Sequence, residues 1–469
     1  MTAGAAETGV FATLTELAAQ MTEGSQTAEA LVACCLARIT AHDRAGAGIG
    51  AMLRLNPQAL DQARSLDAER ARGNVRGKLH GIPIVVKDNI DVAGLPTSSG
   101  CLALAGALPL RDAGVVSRLR EAGAVILGKT NLSEFSFEIR SRSSLGGDVR
   151  NPFDRTVTAG GSSGGTAASI AAGFAVAGLG TDTGGSIRTP SSYTGLVGLR
   201  PSFGLVDRSG TAPLAPTTDT VGPMGRSVQD IAILLAAMAG MPCGRFLPDR
   251  FKLRDARVGV LRQAFGEDPE IGAIIGAAIA TMDAAGARVI DPVRIERDLL
   301  PTGGPHIVDW EFRPHFDHYL ETNFVSGTAP VSLAQIVQSG AYLAEYREVL
   351  ARRAAISTLD TPDYRAILAR HARLKKALLD LMDTNALDIL VYPASAVLPT
   401  SLENPSGGWA PELAACSGMP AVTLPVGRSK GGIPVGIEFL GRPHDEVRLL
   451  GLAGDLEQVA PCRYVPDLT

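Results

Sequence analysis

Several protein classes are excluded by what this 469-residue sequence has little of. Lysine plus arginine number 44 against 48 acidic residues, a net charge of −4. No basic surplus is left to hold nucleic acid or anionic lipid, so neither partner is expected. The six cysteines (Cys34, Cys35, Cys101, Cys243, Cys416 and Cys462) are scattered and form no C-x-x-C pair. That spread argues against a disulfide framework and for a reduced, cytoplasmic setting, with adjacent Cys34 and Cys35 as core thiols. No run of about 18 uninterrupted apolar residues exists, so no membrane span is expected. The first twenty residues lack a basic segment followed by an apolar one, and no secretory leader is expected there.

Glycine, by contrast, is abundant: 53 of 469 residues, about 11% against a usual ~7%. Residues 145–210 hold 15 of them, as the pairs Gly146-Gly147, Gly160-Gly161, Gly164-Gly165 and Gly184-Gly185 among others. A flexible linker would be polar, whereas these glycines punctuate an apolar stretch, 167–179, that reads as buried. Glycine there implies close backbone approach or unusual φ values.

Length alone suggests about three domains, yet no composition break marks a boundary. The first seventy residues read as helices, with Thr27 as one N-cap and Asn56-Pro57 opening another helix. Strand-like runs follow at 82–86, 124–127, 258–260, from Val289, and at 387–392, 421–426 and 435–440. Helical patterns lie at 114–122, 227–239, 269–285 and 446–456. Short apolar strands alternating with helices predict an α/β fold, a sheet covered on both faces. Residues 300–330 read as the least regular part and gather Trp310, Phe312, His315, Phe316, His318, Tyr319 and Phe324. These aromatics suit either a helical core or the wall of a substrate pocket. His315 and His318 lack an H-E-x-x-H context, so a metal pair is not expected.

Three segments carry chemistry: Lys87 at the end of an apolar strand, the loop Gly160-Gly161-Ser162-Ser163-Gly164-Gly165, and Thr181-Asp182-Thr183-Gly184-Gly185-Ser186-Ile187-Arg188. A phosphate-binding P-loop would need a lysine after the second glycine, and Thr166 stands there instead. Gly160-x-Ser162-x-Gly164 matches a nucleophile elbow, which would require a histidine base from among His306, His315, His318, His371 and His444. A lysine can serve as base only when neutral, which requires burial to pull its pKa down from about 10.4. Of seven lysines, Lys87 follows five apolar residues; Lys129 is its one rival.

Taken together, GIPIVVKDN around Lys87, the GGSSGG loop and TDTGGSIR, with Ser186 placed 24 residues after Ser162, resemble the amidase signature family of serine hydrolases. Residues 128–135 (GKTNLSEF), 219–224 (DTVGPM) and the stretch GMPAVTLPVG to GIEFLGRP extend the resemblance over roughly 70–455. Arg200 and Ser202 stand where the family often has Lys and Thr. The resemblance implies a large three-layer α/β/α single domain with a central mixed sheet covered by helices on both faces. Residues 1–75 would form a helical N-terminal wrap and 76–469 the catalytic domain. It further implies Ser186 as nucleophile, Ser162 as bridging serine in a cis peptide and Lys87 as base. Backbone N–H groups of Thr183, Gly184, Gly185 and Ser186 would form the oxyanion hole, and Ser163 would support Lys87 or Ser162. Asp182 and Arg188 read as a structural pair bracing the loop.

The expected activity is therefore hydrolysis of an amide C–N bond through an acyl-enzyme, with neither cofactor nor metal. The aromatic cluster tilts the expectation toward aryl or hydrophobic acyl amides, substrate choice lying in 138–150 and 300–400. The alternative is a glutaminase subunit of a glutamyl-tRNA amidotransferase-like complex. A small-molecule amide is the expected partner, and a homodimer is compatible with the sequence.

Overall fold

A computed structural model describes residues 9–247, 251–301, 306–403 and 411–469. Residues 1–8 of the stretch read for a leader, and 302–305 of the substrate-determining segment, lie outside the described residues. Among the described residues eleven strands form one sheet. In chain order they are β1 (Met52–Leu55), β2 (Pro83–Lys87), β3 (Val125–Thr130), β4 (Ala177–Asp182), β5 (Val197–Arg200), β6 (Thr220–Gly225), β7 (Arg257–Val260), β8 (Arg288–Ile290), β9 (Ile389–Pro393), β10 (Ala421–Arg428) and β11 (Pro434–Leu440). Across the sheet they run β1-β3-β2-β4-β6-β5-β10-β11-β9-β7-β8. The sheet is mixed. β2 lies parallel to β3 and β4, and β7 to β8 and β9, while β4, β6, β5, β10, β11 and β9 pair antiparallel in succession.

Strands β2, β3, β4, β5, β6, β9 and β11 are buried at every position, as apolar and glycine-rich strands covered on both faces must be. The two faces can be told apart along β6. A Cβ on Gly222 would meet Ile187 Cδ1 at 2.8 Å, whereas one on Gly225 would meet Asp230 Cβ at 3.1 Å. Side chains alternate along a strand, so positions 222 and 225 look to opposite faces. The first face receives the nucleophile loop and the helices Gly164–Ala171 and Arg188–Tyr193; the second receives Val228–Met238 and, beside it, Glu446–Val459. The close fit on the first face depends on Gly180. A Cβ there would stand 2.8 Å from Ser163 Oγ and 3.0 Å from Ile187, so any larger residue would push both loops off the strand.

Most of the strands and helices expected from the sequence are present within a few residues of their expected bounds. The differences have physical causes. The first seventy residues, expected as helices, also contribute β1, which pairs antiparallel with β3 at the sheet edge. Thr27 caps its helix as expected, accepting the Ala30 N–H at 3.1 Å. Asn56, however, is not an N-cap: its Oδ1 accepts the Gln58 N–H at 3.0 Å in a turn, and the helix begins at Ala59. Strands β4, β5 and β6 were not expected, because glycine and proline dilute their apolar runs.

Residues 300–330 are the clearest correction. Instead of the least regular part, they hold the helix Val308–Asn323. Val308, Phe312, Phe316 and Leu320 recur at intervals of four and are buried on one face, while Pro314 sits on the exposed side. Phe312, Phe316, Tyr319 and Phe324 join Phe135 and Tyr346 in a second hydrophobic core, with Phe312 and Phe316 stacked at 4.8 Å. Each such ring pair is worth about 0.5–1.5 kcal/mol beyond the area it buries. Those aromatics are spent on packing, so the helical-core reading of the cluster holds over the pocket-wall reading.

Candidate active site

Strand β2 ends in Lys87, which is fully buried. Its Nζ lies 2.6 Å from Ser162 Oγ and 2.7 Å from Thr181 Oγ1. Asn89 Nδ2 donates to the same Thr181 hydroxyl at 3.0 Å. Burial pushes the Lys87 pKa down to about 7, against the opposing pull of Asp182 and Asp219. Lys129 is equally buried but differently occupied. It forms an ion pair with Asp88 at 3.0 Å and donates to Thr97 Oγ1 at 2.9 Å, with no contact to either serine.

The turn before the helix Gly164–Ala171 carries Ser162, and the Gly161–Ser162 peptide is cis. The Ser162 carbonyl accepts the Ser133 N–H and the Ser141 hydroxyl, each at 3.2 Å. Ser141 Oγ accepts the Gly164 N–H at 2.8 Å, so the loop after β3 fixes both sides of the turn. Ser163 does not touch Lys87 or Ser162 through its hydroxyl as expected. Its Oγ donates to the Thr181 carbonyl at 3.2 Å, and its N–H donates to the Ser186 carbonyl at 3.1 Å. Ser163 therefore ties the two serine loops together, and the hydroxyl that meets Lys87 beside Ser162 is that of Thr181.

Ser186 sits just beyond β4, about 6% exposed. Its loop wraps around a buried carboxylate. Asp182 Oδ1 accepts the Gly185 N–H at 2.9 Å and Oδ2 the Ile187 N–H at 3.1 Å. Arg188 and Arg200 both pair with Asp182, at 3.1 and 2.9 Å, and Arg188 also reaches Glu438 at 2.6 Å. Tyr392 donates to that same Glu438 oxygen at 2.8 Å. The two guanidiniums overcome the burial penalty and hold Asp182 well below the usual carboxylate range. Asp182 and Arg188 are thus the expected structural pair, within a larger network that sequence reasoning missed. Arg200, the departure from the family's usual lysine, is a full member of it.

This geometry bears on the four expected oxyanion donors. The Gly185 N–H is committed to Asp182. Among the described residues those of Thr183, Gly184 and Ser186 have no acceptor in the protein. Gly185 has φ +127°, a conformation other residues rarely adopt. Beside the loop is a cavity of about 200 Å³ lined by Asn89, Thr181, Thr183, Ala212, Leu214 and Val221 among others.

The histidines stand elsewhere. His306 faces Glu412 at 3.3 Å, and His444 donates its backbone N–H to Ser202. His318 lines a surface cleft with Arg313, Asp317 and Glu321. Among the described residues no histidine ring is hydrogen-bonded to Ser162 or Ser186. No described helix is long and apolar enough to cross a membrane.

Comparison with known proteins identifies the family of the chain. The amidase family model matches residues 30–450. The A-subunit of the glutamyl-tRNA(Gln) amidotransferase of Moorella thermoacetica is 33% identical, over 96% of each chain. Among solved structures, the peptide amidase of Stenotrophomonas maltophilia superposes with a TM-score of 0.87 at 35% identity, over 97% of this chain and 98% of that one. The corresponding amidotransferase A-subunit of Thermotoga maritima superposes with a TM-score of 0.69 at 25% identity, over 94% and 95%. The chain belongs to the amidase signature family and is an amide-hydrolysing enzyme.

Proposed function

We propose that the chain hydrolyses amides through an acyl-enzyme on Ser186, with Ser162 as proton bridge and Lys87 as base. The observation that carries this reading is the Lys87–Ser162 contact of 2.6 Å, at a lysine whose burial brings its pKa to about 7. A neutral amine is available there near physiological pH, which an exposed lysine would not offer. Ser162 passes its proton to Lys87 as it takes one from Ser186, and Ser186 Oγ attacks the amide carbonyl. The developing oxyanion is met by the N–H groups of Thr183, Gly184 and Ser186, each worth about 3 kcal/mol. Gly185, also expected as a donor, acts through its Asp182 bond to shape the loop. The proton returns through Ser162 to the leaving nitrogen, and water deacylates the enzyme by the reverse route.

On this reading the enzyme acts alone in the cytoplasm on small amides, with residues 1–75 part of the catalytic unit through the pairing of β1 with β3. An aryl or hydrophobic acyl group would have to be recognised by the small cavity beside Thr183, because the aromatic cluster is packed away. The second reading, a glutaminase subunit working in a complex, is favoured by the relatives named as amidotransferase subunits. The higher structural likeness to the peptide amidase supports the free-standing one. A fluorophosphonate adduct located by peptide mass spectrometry tests the chemistry: modification is expected at Ser186, and modification at Ser162 would sink the assignment. Amide hydrolysis by the purified chain without a partner would exclude the second reading.

A further inference from the structure

The nucleophile loop is most open to solvent at Gly184. Of residues 181–190, Gly184 alone is not buried. A carboxylate stands over it. A Cβ built on Gly184 would lie 2.9 Å from Glu412 Oε1 and 3.3 Å from Glu412 Cδ. Glu412 precedes the short helix Leu413–Ser417, and its side chain keeps 28% exposure. Its other oxygen lies 3.3 Å from His306 Nε2. His306 Nδ1 accepts the Val308 N–H at 3.3 Å, which places the ring proton on Nε2, facing the carboxylate. That contact orients Glu412, while Oε1, turned toward Gly184, has no hydrogen-bond partner among the described residues. Arg188, whose guanidinium takes the neighbouring Pro411 carbonyl, is already committed to Asp182 and Glu438.

From this geometry we propose that Glu412 reads the charge of the substrate, selecting amides that carry an ammonium group or N–H donors near the scissile bond and rejecting anionic ones. The proposal rests on the amide-hydrolase reading above and names the substrate class of the same site. An ammonium arriving over Gly184 meets an oriented carboxylate whose Oε1 is unpaired among the described residues. A carboxylate arriving there is repelled, and rejection by like charge is an efficient way to gain selectivity. Glu412 touches no reacting atom in this scheme; it is a specificity-determining residue.

Three amides of similar size test this: 4-aminobutanamide (cationic), 4-hydroxybutanamide (neutral) and succinamate (anionic). Their binding to the Ser186→Ala protein is measured by calorimetry, so that turnover does not intervene. The cationic amide is expected to bind about tenfold more tightly than the anionic one, equivalent to about 1.4 kcal/mol, with the neutral amide between. Adding Glu412→Gln should bring all three within about threefold while leaving the neutral amide nearly unchanged, and Glu412→Asp should keep the order. No charge order in the Ser186→Ala protein, or an equal loss for all three amides on Glu412→Gln, would overturn the proposal. Ammonia release by the unaltered enzyme tests the amide-hydrolase reading separately. If the charge order holds in binding but none of the amides is turned over, the catalytic reading is in question and the role of Glu412 stands.

Discussion

Replacing the proposed base should make the protein more stable, and by an amount that depends on pH. Lys87 has a pKa near 7 in the folded chain, against 10.5 for a solvated lysine. Between those values the unfolded chain binds a proton at Lys87 that the folded chain does not. Stability therefore rises with pH across the window, and the full penalty is present below pH 7. The shift corresponds to about 5 kcal/mol, of which about 4 kcal/mol applies at pH 7 and about 1–2 kcal/mol at pH 9.5. Lys87→Met keeps much of the side-chain volume and removes the titrating group. It also loses the contacts to Ser162 and Thr181, together worth about 1–2 kcal/mol. The variant should be inactive and, at pH 7, roughly 2–3 kcal/mol more stable than the parent. Urea unfolding of both proteins at pH 7, 8 and 9.5 reads the difference, in which the other titrating groups cancel. The gap should shrink by about 3 kcal/mol over that range and change sign or vanish near its upper end. A gap that does not vary with pH would refute the claim that burial holds Lys87 neutral.

Other consequences are open to simpler measurement. The pH profile of kcat/KM should rise with a single-proton slope through about 7, as Lys87 loses its proton; a flat profile between pH 5.5 and 8 would point to a different base. Gly185→Ala, at φ +127°, should lower kcat by roughly a hundredfold or more and stability by about 1–3 kcal/mol. Gly184→Ala meets the flexible Glu412 side chain first and should fold normally, with weaker substrate charge preference as its main effect. Asp182→Asn leaves Arg188 and Arg200 buried with one charge fewer, and should lower stability by about 3–5 kcal/mol in denaturant titration. A loss under about 1 kcal/mol would mean that the network does not brace the loop.

What could be read from the sequence divides along the range of the interactions involved. Lys87, Ser162 and Ser186 stand in segments whose glycines and apolar runs are themselves unusual, so local pattern and resemblance find them together. The bonds among them are another matter. That Thr181 rather than Ser163 offers its hydroxyl to Lys87 follows from how β4 lies beside β2, and no spacing along the chain reports that. Arg200 and Glu438 reach Asp182 and Arg188 from distant strands, and only the sheet order brings them together. Helix Val308–Asn323 had a legible signal, its apolar four-residue interval, which Pro314 and the mixed aromatic content obscured. Glu412 carried no signal, since its significance lies wholly in its position over Gly184.

The separation of the two buried lysines is the step on which the site's chemistry turns, and it follows from strand geometry. In the parallel pair β2–β3, Lys87 is in register with Thr130 and Val86 with Lys129. Register partners share a face, and neighbours along a strand take opposite faces. Lys87 and Lys129 therefore point to opposite sides of the sheet although their strands are adjacent. Asp88, the residue after Lys87, belongs with Lys129, and that pairing is observed at 3.0 Å. On the other side Thr130 meets Thr166 of the helix Gly164–Ala171 at 2.8 Å, which marks the face where Ser162 enters. The alternation thus removes the one adjacent carboxylate from Lys87 and gives it to Lys129. One lysine is compensated by an ion pair at close range; the other has only hydroxyls at hydrogen-bond distance, and the pull of Asp182 and Asp219 does not offset its burial. A one-residue slip of β2 against β3 would carry Lys87 to the face of Lys129 and leave Val86 or Asp88, neither of them a base of that kind, on the side of the serine. Keeping the register of β2, buried at all five positions, is therefore a condition of the chemistry as well as of the fold.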